Sequence, residues 1–83
     1  MNNTVIVYTT NDCIECTMVK KVLTEEGIPF EVRDISKNPT YQIEVEQYGF
    51  LGVPVTVLND RAVKGFTNEL KEIIDLAKSE GVK

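Results

Sequence analysis

Val5-Ile6-Val7-Tyr8-Thr9-Thr10-Asn11-Asp12-Cys13-Ile14-Glu15-Cys16 passes from one kind of local structure to another within twelve residues. Its first four residues are apolar and largely β-branched, the pattern of a buried, central, parallel-paired strand. Thr9 to Asp12 is a polar loop. From Ile14 the period changes: Ile14, Met18 and Val22, with Val19 and Leu23, recur at helical spacing. Gly27 falls just past the last turn and Pro29 two residues further, the usual chemistry of a helix stop. Phe30 to Ile35 then reads as a second strand. Strand, helix and strand make a βαβ unit, whose crossover is expected to be right-handed.

The remaining chain extends this unit. Asn38 before Pro39 predicts an N-cap followed by proline at the first helical position. Tyr41, Val45 and Tyr48 form one helix face, and Gly49 ends it. Pro54 to Leu58 is a third strand, Asn59-Asp60 a candidate two-residue turn, and Arg61 to Lys64 the returning strand. Gly65 breaks that strand. Leu70, Ile73, Ile74 and Ala77 give a last helix capped by Thr67 or Asn68. The order β-α-β-α-β-β-α predicts an α/β fold with a mixed sheet and helices on its faces.

The chain has 83 residues, which allows one domain over 1–83. Its composition excludes collagen-like, disordered and disulfide-dense secreted chains. Thirteen acidic against nine basic residues give a net charge of −4 and a pI near 4.7. That argues against nucleic acid or an anionic membrane as partner, because phosphate binding needs excess Lys and Arg. The lack of histidine removes His-based acid–base catalysis, Ser–His and Cys–His nucleophile pairs, and His metal ligands. Met1 to Thr4 has no basic residue and the apolar run after it is short, so no targeting or membrane segment is expected and the cytoplasm is the expected compartment.

Both cysteines fall in Cys13-Ile14-Glu15-Cys16, where loop becomes helix. A helix N-terminus carries partial positive charge and unpaired N–H groups, which favour a thiolate. Cys13 is in that position; Cys16, one turn on, is expected to be more shielded. Cys13 can attack a disulfide, and Cys16 can resolve the mixed disulfide. Three other readings stay open at this point. A structural disulfide would close a short loop worth only about 2 kcal/mol. Two chains could jointly bind zinc or an iron–sulfur cluster with four cysteines. The pair could also be inert core residues. Asp12 and Glu15 flank Cys13 and oppose its ionisation, although carboxylates also suit a helix N-terminus. Lys20 and Lys21 read as a solvated helix face.

Tyr8-Thr9-Thr10, Cys13-x-x-Cys16, Lys20-Lys21-x-Leu23, Asp34-Ile35-Ser36, Gly49-Phe50-Leu51-Gly52-Val53-Pro54-Val55 and Gly65-Phe66 together resemble the glutaredoxin-like NrdH-type redoxins of the thioredoxin/glutaredoxin superfamily. The resemblance runs from about Val5 to Leu76. It implies a thioredoxin fold, with a four-stranded mixed sheet flanked by three helices, and a cis bond between Val53 and Pro54. It also implies a monomeric thiol–disulfide oxidoreductase without metal or other cofactor, reduced by thioredoxin reductase and donating to ribonucleotide reductase. Cys13 and Cys16 would be catalytic. Thr10, Asp12, Ile14, Val53, Pro54, Gly65 and Phe66, with Leu51, would meet the partner. Glutathione-dependent glutaredoxins typically have an aromatic residue inside the Cys pair, a basic residue upstream, and a Gly-Gly…Asp element late in the chain. Here Ile14-Glu15, Thr10 and Gly65-Phe66-Thr67-Asn68 stand in those places. The NrdH-type pattern is also incomplete: Thr10-Asn11 replaces its Lys-Pro, and Val63-Lys64-Gly65-Phe66-Thr67-Asn68 its Trp-Ser-Gly-Phe-Arg-Pro. These departures bear on the partner, not on the dithiol.

Overall fold

A computed structural model describes residues 5–59 and 61–79. Strand β1 (Val5–Thr9) leads into helix α1 (Ile14–Glu25), strand β2 (Phe30–Asp34), helix α2 (Pro39–Gln47), strands β3 (Val55–Leu58) and β4 (Arg61–Lys64), and helix α3 (Glu69–Ser79). The sheet order is β2-β1-β3-β4. β1 runs parallel to β2, pairing Val7 with Val32, and antiparallel to β3, pairing Val7 with Thr56. The expected parallel pairing of β1 therefore holds on one side only. The short β3–β4 hairpin forces the other side antiparallel, since tight connections join only antiparallel strands.

Strand alternation splits the sheet between two cores. Val5 and Val7 of β1 and Leu58 of β3 face α1 and α3, packing with Val19, Leu23, Leu70, Ile73 and Ala77. Tyr8, Val55 and Val57 face α2 and pack with Val45. The result is the thioredoxin fold that the resemblance implied, a central sheet between α1 with α3 and α2.

The local signals explain where elements stop. Asn38 caps α2 by accepting the Thr40 N–H at 3.0 Å, with Pro39 following it as the helix begins. The Tyr48 and Gly49 N–H groups return to the carbonyls of Val45 and Glu46 at the end of α2. Leu58 pairs with Arg61 across the hairpin, and Asn59 takes the left-handed conformation at φ 55°. Asp60, the other half of the expected turn, lies outside the described residues. Two strands are one residue shorter than their apolar runs suggested: Ile35 leaves β2 and Pro54 precedes β3. Proline cannot donate to a ladder, which accounts for the second. The Ile35 N–H still reaches the Thr9 carbonyl at 2.9 Å, so the pairing continues one step beyond β2. Among the described residues, no helix is long and apolar enough to cross a membrane.

Candidate active site

The dithiol stands where β1 hands over to α1. Asp12 adopts φ 57°, a left-handed conformation that Asp tolerates better than most side chains. This kink delivers Cys13 in extended geometry, φ −112° and ψ 106°, as the N-cap of α1. The Cys13 Sγ accepts the Cys16 N–H at 3.1 Å. One of the helix's four orphan donors is thereby satisfied by sulfur rather than by a hydroxyl. Cys13 and Cys16 are joined as a disulfide, with Cα atoms 5.2 Å apart. Burial differs between them: Cys13 is part-exposed and Cys16 only 1% exposed. The Thr17 hydroxyl donates to the Cys13 carbonyl at 3.2 Å, tying the cap to the next turn.

A second element reaches the dithiol from the loop after α2. The Val53–Pro54 bond is cis. Pro54 is buried, and its carbonyl accepts the Gly65 N–H at 2.8 Å. Gly65 has φ 83°, a conformation for which glycine is the natural choice. A Cβ added there would lie 3.5 Å from Oε1 of Glu15, the residue between the two cysteines. The dithiol helix, the cis-proline and the end of β4 therefore converge.

Thr10, Asn11, Asp12, Cys13 and Ile14 line one shallow hollow with Thr17 and Lys20. Ile14 is 78% exposed and Leu51 85%, so both are available as apolar contacts rather than core. Val53 is half-buried and packs against the α2-side core. Phe66 does not line the hollow at Cys13. It turns into a groove between α1 and α3, beside Val22, Leu70 and Ile74, and remains 38% exposed. The sequence reading gave no site role to Asn11, Thr17 or Lys20 of this hollow. Lys20 had looked purely solvated, yet it lies seven residues after Cys13, which is two turns along the same helix face.

Behind the site, Tyr8 carries a polar network that the sequence reading did not contain. Its hydroxyl donates to Glu44 Oε1 at 2.7 Å, and Arg33 Nη1 donates to the same two oxygens at 2.9 and 3.2 Å. Arg33 also pairs with Glu31 through Nε at 2.6 Å and lies over the Tyr8 and Tyr41 rings. Burial and the neighbouring Glu44 carboxylate push the Tyr8 phenol up to about 12. Hydrogen bonding to Glu31, Tyr8 and Glu44 raises the Arg33 guanidinium above its already high value.

Comparison with known proteins matches this arrangement. The glutaredoxin family model covers residues 5–63. The glutaredoxin-like protein NrdH of Lactococcus lactis is 40% identical over 62 residues, covering 75% of this chain and 86% of that protein. The chain belongs to the glutaredoxin family, among its NrdH-type redoxins. The redoxin superposes on NrdH-redoxin from Escherichia coli with a TM-score of 0.77 at 25% identity, covering 84% of this chain and 93% of that one. A glutaredoxin from Archaeoglobus fulgidus gives 0.79 at 33% identity, covering 89% and 87%. The redoxin is a thiol–disulfide oxidoreductase, and Cys13-x-x-Cys16 is its redox-active pair. Among the described residues, no three His, Cys, Asp or Glu side chains cluster as metal ligands.

Proposed function

We propose that this redoxin is a monomeric, cytoplasmic electron carrier, reduced by thioredoxin reductase and donating to ribonucleotide reductase. The observation that carries the chemistry is the asymmetry of the pair: a part-exposed sulfur at the helix N-cap, holding an N–H, beside a buried one. In the reduced protein the Cys13 thiolate attacks one sulfur of the partner's disulfide. The other partner sulfur leaves as a thiolate and takes a proton. Cys16, deprotonated, attacks Cys13 Sγ, releases the second partner thiol and closes the Cys13–Cys16 bond. Two electrons pass to the partner, and the redoxin awaits re-reduction. Val53, Pro54 and Gly65 shape the groove in which the partner's backbone lies. Thr10, Asp12, Ile14 and Leu51 border it, while Phe66, turned into the α1–α3 groove, stands apart from it.

Two features favour thioredoxin reductase over glutathione as donor. Asp12 and Glu15, both exposed beside Cys13, repel the carboxylates of glutathione. The E. coli NrdH-redoxin is described by its thioredoxin-like activity profile. The test is NADPH consumption during reduction of a protein disulfide. One reaction contains thioredoxin reductase and the other glutathione with glutathione reductase. Turnover confined to the first is expected. Turnover confined to the second would make the protein a glutathione-dependent glutaredoxin, and turnover with neither would remove both donors.

A further inference from the structure

On the cis-proline side of the dithiol one cation stands without an ion-pair partner among the described residues. Lys64 is the last residue of β4, an edge strand, and pairs in register with Val55, directly after Pro54. Its side chain lies across Gly52 in the loop that leads to the cis bond. A Cβ on Gly52 would be 3.4 Å from Lys64 Cε and 3.9 Å from Nζ. The absence of a side chain at Gly52 leaves the aliphatic stem a seat on the loop that leads to the cis bond. Lys64 also falls within the late segment where the sequence departs from the NrdH-type pattern.

The charges around the site are arranged unequally. Asp12 and Glu15 belong to the first turn of α1 or its approach, where the positive end of the helix offsets them. Lys20 lines the same hollow as Asp12. Arg61 is engaged with Glu72, Lys78 with Glu26, and Arg33 with Glu31 and Glu44. Lys64 is exposed and, like Lys20, Lys21, Lys37 and Lys71, has no such partner among the described residues; what sets it apart is its place on β4, over Gly52 and next to Gly65. Exposed Leu51 is two residues from Val53, and Gly65, next to Lys64, abuts Glu15.

We propose that Lys64 is a specificity-determining residue. It receives a carboxylate within two residues of the disulfide in the partner, so that the redoxin favours protein disulfides flanked by Asp or Glu. This inference rests on the thiol–disulfide activity but not on which reductase or acceptor is physiological. The peptide segment lies in the groove beside the cis-proline. Its cystine meets Cys13 and its carboxylate meets the Lys64 ammonium. The exchange is unchanged: peptide disulfide plus redoxin dithiol gives peptide dithiol plus the Cys13–Cys16 disulfide.

The experiment is a single-turnover oxidation of pre-reduced redoxin by three synthetic peptides with one intramolecular disulfide. They are identical except for flanking Asp, Ser or Lys. At low salt the Asp peptide is expected to react about two- to fivefold faster than the Ser peptide, the range of a partly exposed ion pair. High salt should compress the difference. Lys64→Met keeps the stem across Gly52 and should abolish the preference. Lys64→Arg should retain it, and Lys64→Glu should transfer it to the Lys peptide. Lys21→Glu, about 12 Å further along α1, changes the net charge equally and should leave the preference in place. An Asp preference that survives in Lys64→Met overturns the proposal, as does a wild-type protein indifferent to the flanking charge. Failure of the Ser peptide to oxidise the redoxin at all would instead overturn the thiol–disulfide chemistry beneath it.

Discussion

Cys13 owes its position to two backbone facts: the left-handed turn at Asp12 and the N–H of Cys16 aimed at its sulfur. The N–H and the helix N-terminus favour the thiolate, while the carboxylates of Asp12 and Glu15 oppose it. In reduced protein, iodoacetamide alkylation of Cys13 should therefore reach half its plateau rate below pH 8.5, the value for a free cysteine, but well above about 5. Each carboxylate removed should move that midpoint down by a few tenths of a pH unit, the order of a Coulomb interaction between nearby charges in water. Asp12→Asn is the cleaner substitution, because Asn accepts the left-handed conformation as readily as Asp. Glu15→Gln should act in the same direction. Midpoints unmoved by either substitution would show that neither carboxylate acts on the sulfur.

At the scale of elements, the Tyr8–Glu44–Arg33 network ties β1 and β2 to α2, and α2 leads directly into the loop carrying Val53 and Pro54. The Tyr8 phenol stands at about 12 in the folded chain against 10 in the unfolded one. The folded state thus favours the neutral phenol. That contribution to stability is complete below pH 10 and is lost as the pH rises from 10 towards 12. Denaturant unfolding followed across that range should show a steeper loss for the wild type than for Tyr8→Phe, which has no proton to lose. Parallel losses would mean that the phenol does not couple to folding. This network also marks where the sequence stops being legible. Element order, the Asn38 cap and the dithiol junction all follow from local pattern, because period and capping are local properties. The Arg33–Glu44 pairing joins residues from separate elements, and nothing in either segment announces the other. Phe66 is similar: its place after Gly65 suggested the dithiol hollow, but it lines the α1–α3 groove with Val22 and Leu70. Lys64 becomes visible only once β4 is laid beside Val55. The cis bond at Pro54 came from family resemblance, since residue type alone favours trans.

For the whole molecule, the question is how the disulfide changes the stability of the fold that holds it. A chain of this size has little core to spare, so even a short cross-link matters. Closing the Cys13–Cys16 loop removes about 2 kcal/mol of unfolded-state entropy. For a domain of about 80 residues that corresponds to about 8–16 °C in unfolding temperature. Thiolate stabilisation at the helix N-terminus works the other way, because it stabilises the reduced fold. It is absent where the thiol is protonated and grows as the pH rises above the folded thiol's midpoint towards the unfolded value. Calorimetry should therefore find the oxidised redoxin melting higher at pH 5, with the gap narrowing by pH 8. The sign bears on function. A protein whose oxidised fold is the more stable gives up electrons readily, as a donor to protein disulfides must, whereas one whose reduced fold is the more stable acts as an oxidant. A reduced form that melts higher at pH 5 would contradict the assignment of this redoxin as an electron donor, whichever reductase supplies it.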